Sequence, residues 1–226
     1  MLSKADDYPI HQSPEPIAYA GQSRNFYDRY FFNGYDIEGD VFFALGMGIY
    51  PHVDVIDAGF SLIRNGVQHD LLCSRALGME RMDTQVGNIE VEVVEPLQSL
   101  RLLIDAPEHG IEADLLFTGR APAQEEPRFT RHLGSQLFMD YTRLTQNGQW
   151  EGWIKHQGER INVAPVRWFG TRDRSWGIRP IGERDAQANP SAEPFQQFYW
   201  LWAPINWGDA VTLYHLNDDE LSLIHI

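Results

Sequence analysis

Apolar and polar residues alternate along much of this chain with a period of two, from about Asp40 onward. That period sends successive side chains to opposite faces of a strand. Residues 41–47 form a short apolar run that predicts a buried strand, with Gly46 where a bend or a close contact falls. Residues 57–63 and 67–73 flank Asn65-Gly66. Both turn residues accept positive φ, so a tight hairpin is predicted. Residues 88–93 alternate cleanly and should turn Ile89, Val91 and Val93 inward. Residues 100–104 and 111–117 should pair across His109-Gly110. Strands resume near Leu137, with Asn147-Gly148 and Gln157-Gly158 as further hairpin turns, and return at 195–202 and 211–216. No amphipathic helix of three turns is visible. The pattern predicts an all-β chain of up-and-down antiparallel strands, a barrel or a sandwich.

Two interruptions divide the pattern. Residues 1–21 lack periodicity and read as an extended arm. Residues 121–127, Ala-Pro-Ala-Gln-Glu-Glu-Pro, read as a linker. The expected division is therefore a first β unit over 22–120, a linker over 121–130 and a second unit over 131–220. Residues 182–194 are polar and proline-bearing, and predict a long loop. The last six residues, Leu-Ser-Leu-Ile-His-Ile, match a translated transposase sequencing adaptor, so 221–226 are expected to be an adaptor-derived tail and the second unit to be incomplete.

Composition narrows the function. At 226 residues and 43% hydrophobic content, the chain can bury a sizeable core. Its formal net charge of −14 argues against nucleic acid and anionic membrane surfaces as partners, because both reward basic patches. One cysteine, Cys73, excludes an internal disulfide framework; its apolar neighbours suggest a buried thiol. The N-terminal residues carry acids where a signal peptide needs an apolar run, and no apolar stretch is long enough to form an integral membrane segment. The expectation is a cytoplasmic protein. Oligomeric state is not legible.

The densest chemistry lies in Arg172-Asp173-Arg174-Ser175-Trp176-Gly177-Ile178-Arg179-Pro180. Alternation places Arg172, Arg174 and Trp176 on one strand face and Asp173 and Ser175 on the other. Three arginines around one carboxylate make either a structural ion-pair knot or the polar end of a ligand site. Asp173 is expected to be buried against an arginine. All seven tryptophans lie between Trp150 and Trp207. They form a tryptophan-rich core or the wall of a cavity for a large apolar ligand.

Three segments together carry a resemblance: residues 149–154 (Gln-Trp-Glu-Gly-Trp-Ile), residues 172–179 and residues 198–202 (Phe-Tyr-Trp-Leu-Trp). They resemble the two-domain lipocalin-like superfamily of AttH-type proteins, which includes carotenoid hydratases of the hydroxyneurosporene synthase type and survival-factor lipid-transfer proteins. The match covers about 140–205; upstream it is limited to β-rich style and residues 25–28. The resemblance implies two consecutive lipocalin-like antiparallel β-barrel or sandwich domains. Relatives often carry histidine where this chain has Arg174, and arginine is a poor general acid or base.

Two functions follow from the resemblance and the residues. One is binding of a lipid- or isoprenoid-like molecule in a β-barrel cavity, walled by Trp150, Trp153, Trp176, Trp200 and Trp202, with Arg172 and Arg179 holding a polar head group. The other is a cofactor-independent hydratase or isomerase, a carotenoid-hydratase-like lyase acting on an apolar alkene. Asp173 is its first candidate acid and Glu151 its second, with Tyr141 and His156 as helpers. No phosphate loop, dinucleotide fingerprint or nucleophile elbow is present, so no cofactor is expected. The histidines are scattered; the His52-x-Asp54 pair does not make a metal site, and none is expected.

Overall fold

The computed structural model describes residues 1–19, 23–182 and 199–218. Apart from short 3-10 turns at Lys4–Asp7, Pro51–Val53 and Pro107–His109, regular structure among them is β. The strands are β1 (Phe26–Asp36), β2 (Val41–Tyr50), β3 (Val55–Arg64), β4 (Val67–Ala76), β5 (Gln85–Val86), β6 (Ile89–Glu95), β7 (Ser99–Ala106), β8 (Ile111–Gly119), β9 (Gln124–Glu125), β10 (Phe129–Leu133), β11 (Gln136–His156), β12 (Glu159–Val163), β13 (Trp168–Ile178), β14 (Tyr199–Asn206) and β15 (Val211–Asp218). The main sheet runs β4-β3-β2-β1-β13-β11-β8-β7-β6-β5, and β9, β10 and β12 attach to β11. β14 and β15 form a separate hairpin.

The sheet curls into a nearly closed antiparallel barrel. Arg75 on β4 bridges the gap, donating to the backbone carbonyls of Gln85 and Asp83, each at 2.8 Å. The all-β antiparallel class expected from the alternation is thus the class observed. The sheet continues without a gap past residues 121–130: β1 and β8, from before that segment, flank β13 and β11, from after it. No helix among the described residues is long and apolar enough to cross a membrane.

The barrel interior is filled by side chains. Trp150 is fully buried, with edge-to-face contacts to Phe43, Phe117 and Phe32 at 5.0, 5.2 and 6.0 Å. Its indole N–H donates to the Asn33 carbonyl at 2.9 Å. Such packing needs bare backbone beneath the rings. Gly34, Gly170 and Gly148 supply it, and Gly119, beneath the Gln146 amide, continues the same register row across β1, β13, β11 and β8. A Cβ on Gly148 would lie 2.1 Å from the Phe117 ring, and one on Gly170 2.5 Å from the Trp150 nitrogen.

That row corrects the reading of Asn147-Gly148 as a turn. Both residues lie inside the 21-residue strand β11, where the glycine answers a steric demand and not a positive φ. Asn65-Gly66 and Gln157-Gly158 do turn, all four at positive φ. Val93 is exposed at 46%, because a register irregularity between Val93 and Glu95 ends the alternation. Cys73 is half-buried, not buried. The N-terminal segment is not simply extended: Asp6 accepts hydrogen bonds from the Ser3 and Ile17 backbone N–H groups at 2.7 and 2.8 Å, folding it back on itself. Within the expected linker, β9 pairs with β11 and Glu126 is buried. Most of the expected loop at 182–194, residues 195–198 and the expected tail at 221–226 lie outside the described residues.

Candidate functional site

The motif strand β13 divides its charges between two faces of the sheet. Arg172 points into the barrel, where its Nε donates to the Gln146 side-chain oxygen at 2.7 Å and its guanidinium lies 5.8 Å from the Phe117 ring centre. Burial without a carboxylate partner lowers its pKa to about 10, with Tyr30 opposing and Arg174 adding to the shift. Arg174, on the same parity, forms a two-pronged pair with Asp28 and sits over the Tyr30 ring at 4.3 Å. Burial lowers its pKa, but Asp28 and Tyr30 outweigh that and raise it.

Asp173 faces outward from the barrel, yet it is 3% exposed. Its partner is Arg29 on β1, whose Nη2 donates to both carboxylate oxygens at 3.0 and 3.1 Å. The neighbouring arginines of the motif lie on the other face and do not pair with it. Burial pushes the Asp173 carboxyl up, against the charges of Arg29 and Arg143. Register explains the assembly. Thr145, Asp173 and Phe31 share one row across β11, β13 and β1, and Arg143, Ser175 and Arg29 share another. Two arginines therefore approach one acid from adjacent strands.

Glu126, from just after β9, joins this cluster and is also buried. It accepts from the Thr145 hydroxyl at 2.5 Å and from the Trp202 indole N–H at 3.1 Å. Arg143 Nη1 and His215 Nδ1 lie 3.5 and 3.4 Å from its other oxygen. The Trp200 indole N–H donates to His215 Nε2 at 2.8 Å. An indole only donates, so that nitrogen accepts and the ring proton sits on Nδ1, facing Glu126. Three buried donor atoms here make no hydrogen bond among the described residues: Arg29 Nε, Arg143 Nε and Arg143 Nη1, the last in ion-pair contact with Glu126 alone. The hairpin β14–β15 covers the cluster. Trp200 and Trp202 stack with ring centres 6.1 Å apart and planes 16° apart, and Trp200 lies 5.0 Å over the Arg143 guanidinium.

The structure thus gathers Asp173, Trp200 and Trp202 out of the residues singled out in the sequence. Trp150 is barrel core. Trp153 is half-buried beneath Arg160, 4.5 Å from its ring centre. Trp176 is 38% exposed and shares the parity of Arg172 and Arg174. Arg179 lies 4.2 Å over the Tyr27 ring. Glu151 is exposed on β11. Tyr141 packs against Tyr27, edge-on at 6.5 Å. His156 is buried at the far end of β11, 4.3 Å from the His69 ring. The sequence reading missed Arg29, Glu126, Arg143, Thr145 and His215. Strand alternation could have placed Thr145 and Arg143 on the Asp173 face had the long β11 been recognised. Nothing local marks Glu126, which sits in a proline-flanked stretch.

Among solved structures, the fold is similar to kievitone hydratase from Nectria haematococca, at 12% sequence identity and a TM-score of 0.50, covering 84% of this chain. The chain spans 60% of the length of that protein. CghA with Sch210972 gives a TM-score of 0.46 at 12% identity, over 68% of this chain and 46% of its own, and CghA without it 0.44 at 14%, over 69% and 46%. At these identities the likeness concerns the fold. No curated protein matches the sequence. With a match over residues 2–222, the chain belongs to a family of unknown function, DUF8625.

Proposed function

We propose that this chain binds a hydrophobic, lipid- or isoprenoid-like small molecule against the outer wall formed by β1, β13 and β11. The observation that carries the reading is the stacked pair Trp200 and Trp202. It is a partly open indole surface laid over a buried charged cluster, the combination of apolar wall and few fixed polar groups that small-molecule sites use. The interior of the first barrel is occupied by its own aromatic core, so the ligand sits outside it. On this reading the outer wall is the inner surface of a second unit, begun by the β14–β15 hairpin.

A second reading rests on Asp173. A buried carboxyl whose pKa is raised can hold a proton and deliver it to an apolar alkene. Water would then add to the resulting cation and return a proton to the carboxylate, leaving a product heavier by one water and the acid restored.

The test is tryptophan emission titrated with oleate and with geranylgeraniol. Binding should blue-shift or quench it, and Trp200→Ala should weaken affinity about tenfold, roughly 1.4 kcal/mol. Unchanged emission with both ligands at high micromolar concentration would overturn the binding reading. Mass spectrometry of the recovered alkene separates the two readings, because only a hydratase adds water.

A further inference from the structure

The outer face of β1, β2 and β3 carries an unusual floor. Outward positions on a solvated sheet normally hold polar side chains. Here β2 presents Ala44, Gly46 and Gly48, and β3 presents Gly59 and Ser61. Gly46 is paired with Gly59 on one side and with Phe31 on the other. A glycine inside a strand destabilises it relative to alanine. At Gly148 and Gly170 that cost is repaid by rings packed on bare backbone. At Gly46 it is not: its φ is not positive, and a Cβ there would meet nothing within 4 Å.

This floor belongs to a real concavity. A hollow of about 350 Å³ is lined by Arg29, Phe31, Gly46, Gly48, Gly59 and Tyr50, among others. A second, of about 560 Å³, adjoins it through Tyr50 and Asp57 and extends to Met139 and Arg179. Sizes of this order suit a small molecule. Although the chain carries −14, the charged lining residues of the two hollows are Arg24, Arg29 and Arg179 against Asp57. Burial pushes the Asp57 carboxyl up, more than the Gly48 hydrogen bond and Arg179 lower it.

The two ends of the trough differ. At one end Arg179 is engaged: it hydrogen-bonds the Tyr50 hydroxyl and lies over the Tyr27 ring. At the other end Arg29 Nε has no acceptor. Beyond it on the same register row, Arg143 is more than nine-tenths buried; its Nε makes no hydrogen bond among the described residues, and its Nη1 has only the 3.5 Å ion-pair contact with Glu126. Both arginines converge on Asp173. A buried donor left unpaired is costly, so an anion arriving there gains charge-assisted bonds the protein leaves unmade.

We propose that the trough binds an amphiphile with a single carboxylate, its head at Arg29 and Arg143 and its apolar body along the Gly46–Gly59 floor toward Tyr50. The proposal rests on the hydrophobic-ligand reading above and specifies the head group and the path of the tail.

Gly46→Val tests it cleanly, since the fold leaves room for the side chain and a β-branched residue suits a strand. The probes are dodecanoate and dodecanol, followed by tryptophan emission with a thermal melt of each variant. The wild type should bind dodecanoate at least tenfold more tightly than dodecanol. Gly46→Val should lose at least tenfold of the dodecanoate affinity with its melting temperature unchanged or raised. Arg143→Gln should abolish the preference for the carboxylate while dodecanol still binds. If the wild type binds both equally, or if folded Gly46→Val binds dodecanoate like the wild type, the trough assignment falls while the hydrophobic-ligand reading stands. If neither probe binds the wild type, and oleate and geranylgeraniol also fail, both fall together.

Discussion

The two faces of the sheet around β13 solve opposite problems. Inward, the sheet excludes water by geometry: a glycine row lets Trp150, Phe43 and Phe117 lie against the backbone, and the one indole donor finds the Asn33 carbonyl. Among the described residues, the deeply buried end of Arg172 is the exception there, a guanidinium nitrogen without a hydrogen-bond partner. Outward, the same strands gather Arg29, Arg143, Asp173 and Glu126 under a hairpin whose indoles stay partly open. There the two arginines face two carboxylates, yet donor atoms of both arginines are left without a hydrogen-bond partner among the described residues. A packed face tolerates no added volume, whereas the outer face has both space and unspent donors. That contrast separates a part that holds the fold from a part suited to binding.

Breaking the inner face should have the largest effect. Trp150→Ala removes a fully buried indole that three phenylalanine rings enclose, and should cost about 3–5 kcal/mol in chemical denaturation. A loss below about 1 kcal/mol would mean that the interior is not close-packed. Gly170→Ala comes next. Its Cβ would sit 2.0 Å from the Asn33 backbone oxygen, which cannot step aside without moving β1. A loss of about 1–3 kcal/mol is expected in the same measurement. The contrasting Gly46→Ala, on the outer face, should leave stability unchanged or slightly higher, so that the pair of glycine variants tests the comparison directly.

The smallest effect concerns pH. The Asp173 carboxyl is held above its ordinary 3.8 by burial. As pH rises past that value, the unfolded chain releases the proton first and gains from ionising, so native stability falls until the folded carboxyl also ionises. Asp173→Asn, which cannot ionise, should remove this fall. Its stability relative to wild type should therefore increase as pH is raised from 3.8 through the weakly acidic range. A difference that is flat or decreases with pH would show that Arg29 and Arg143, and not burial, control the group.

Much of the strand pattern was legible in the sequence because it depends on local rules. Alternation marked the inward residues of β3, β7 and β8, and Asn65-Gly66 and Gln157-Gly158 accept positive φ wherever they occur. Asn147-Gly148 carries the same local signal and does not turn. Whether a glycine serves a turn or a ring is decided by what packs on it, and Phe117 lies some thirty residues upstream. The arginine-rich motif identified Asp173 as a buried, arginine-paired acid, yet its partner came from β1 through sheet register, 144 positions away. The alternation of β13 already separated Asp173 from Arg172 and Arg174. It could not say which face would be filled by the barrel and which would be left for Glu126, Arg143 and the hairpin tryptophans. Side-chain parity is a property of the strand itself, but the identity of the neighbouring strands belongs to the sheet. Only tertiary pairing placed an open glycine floor beside arginines with donor atoms left unbonded.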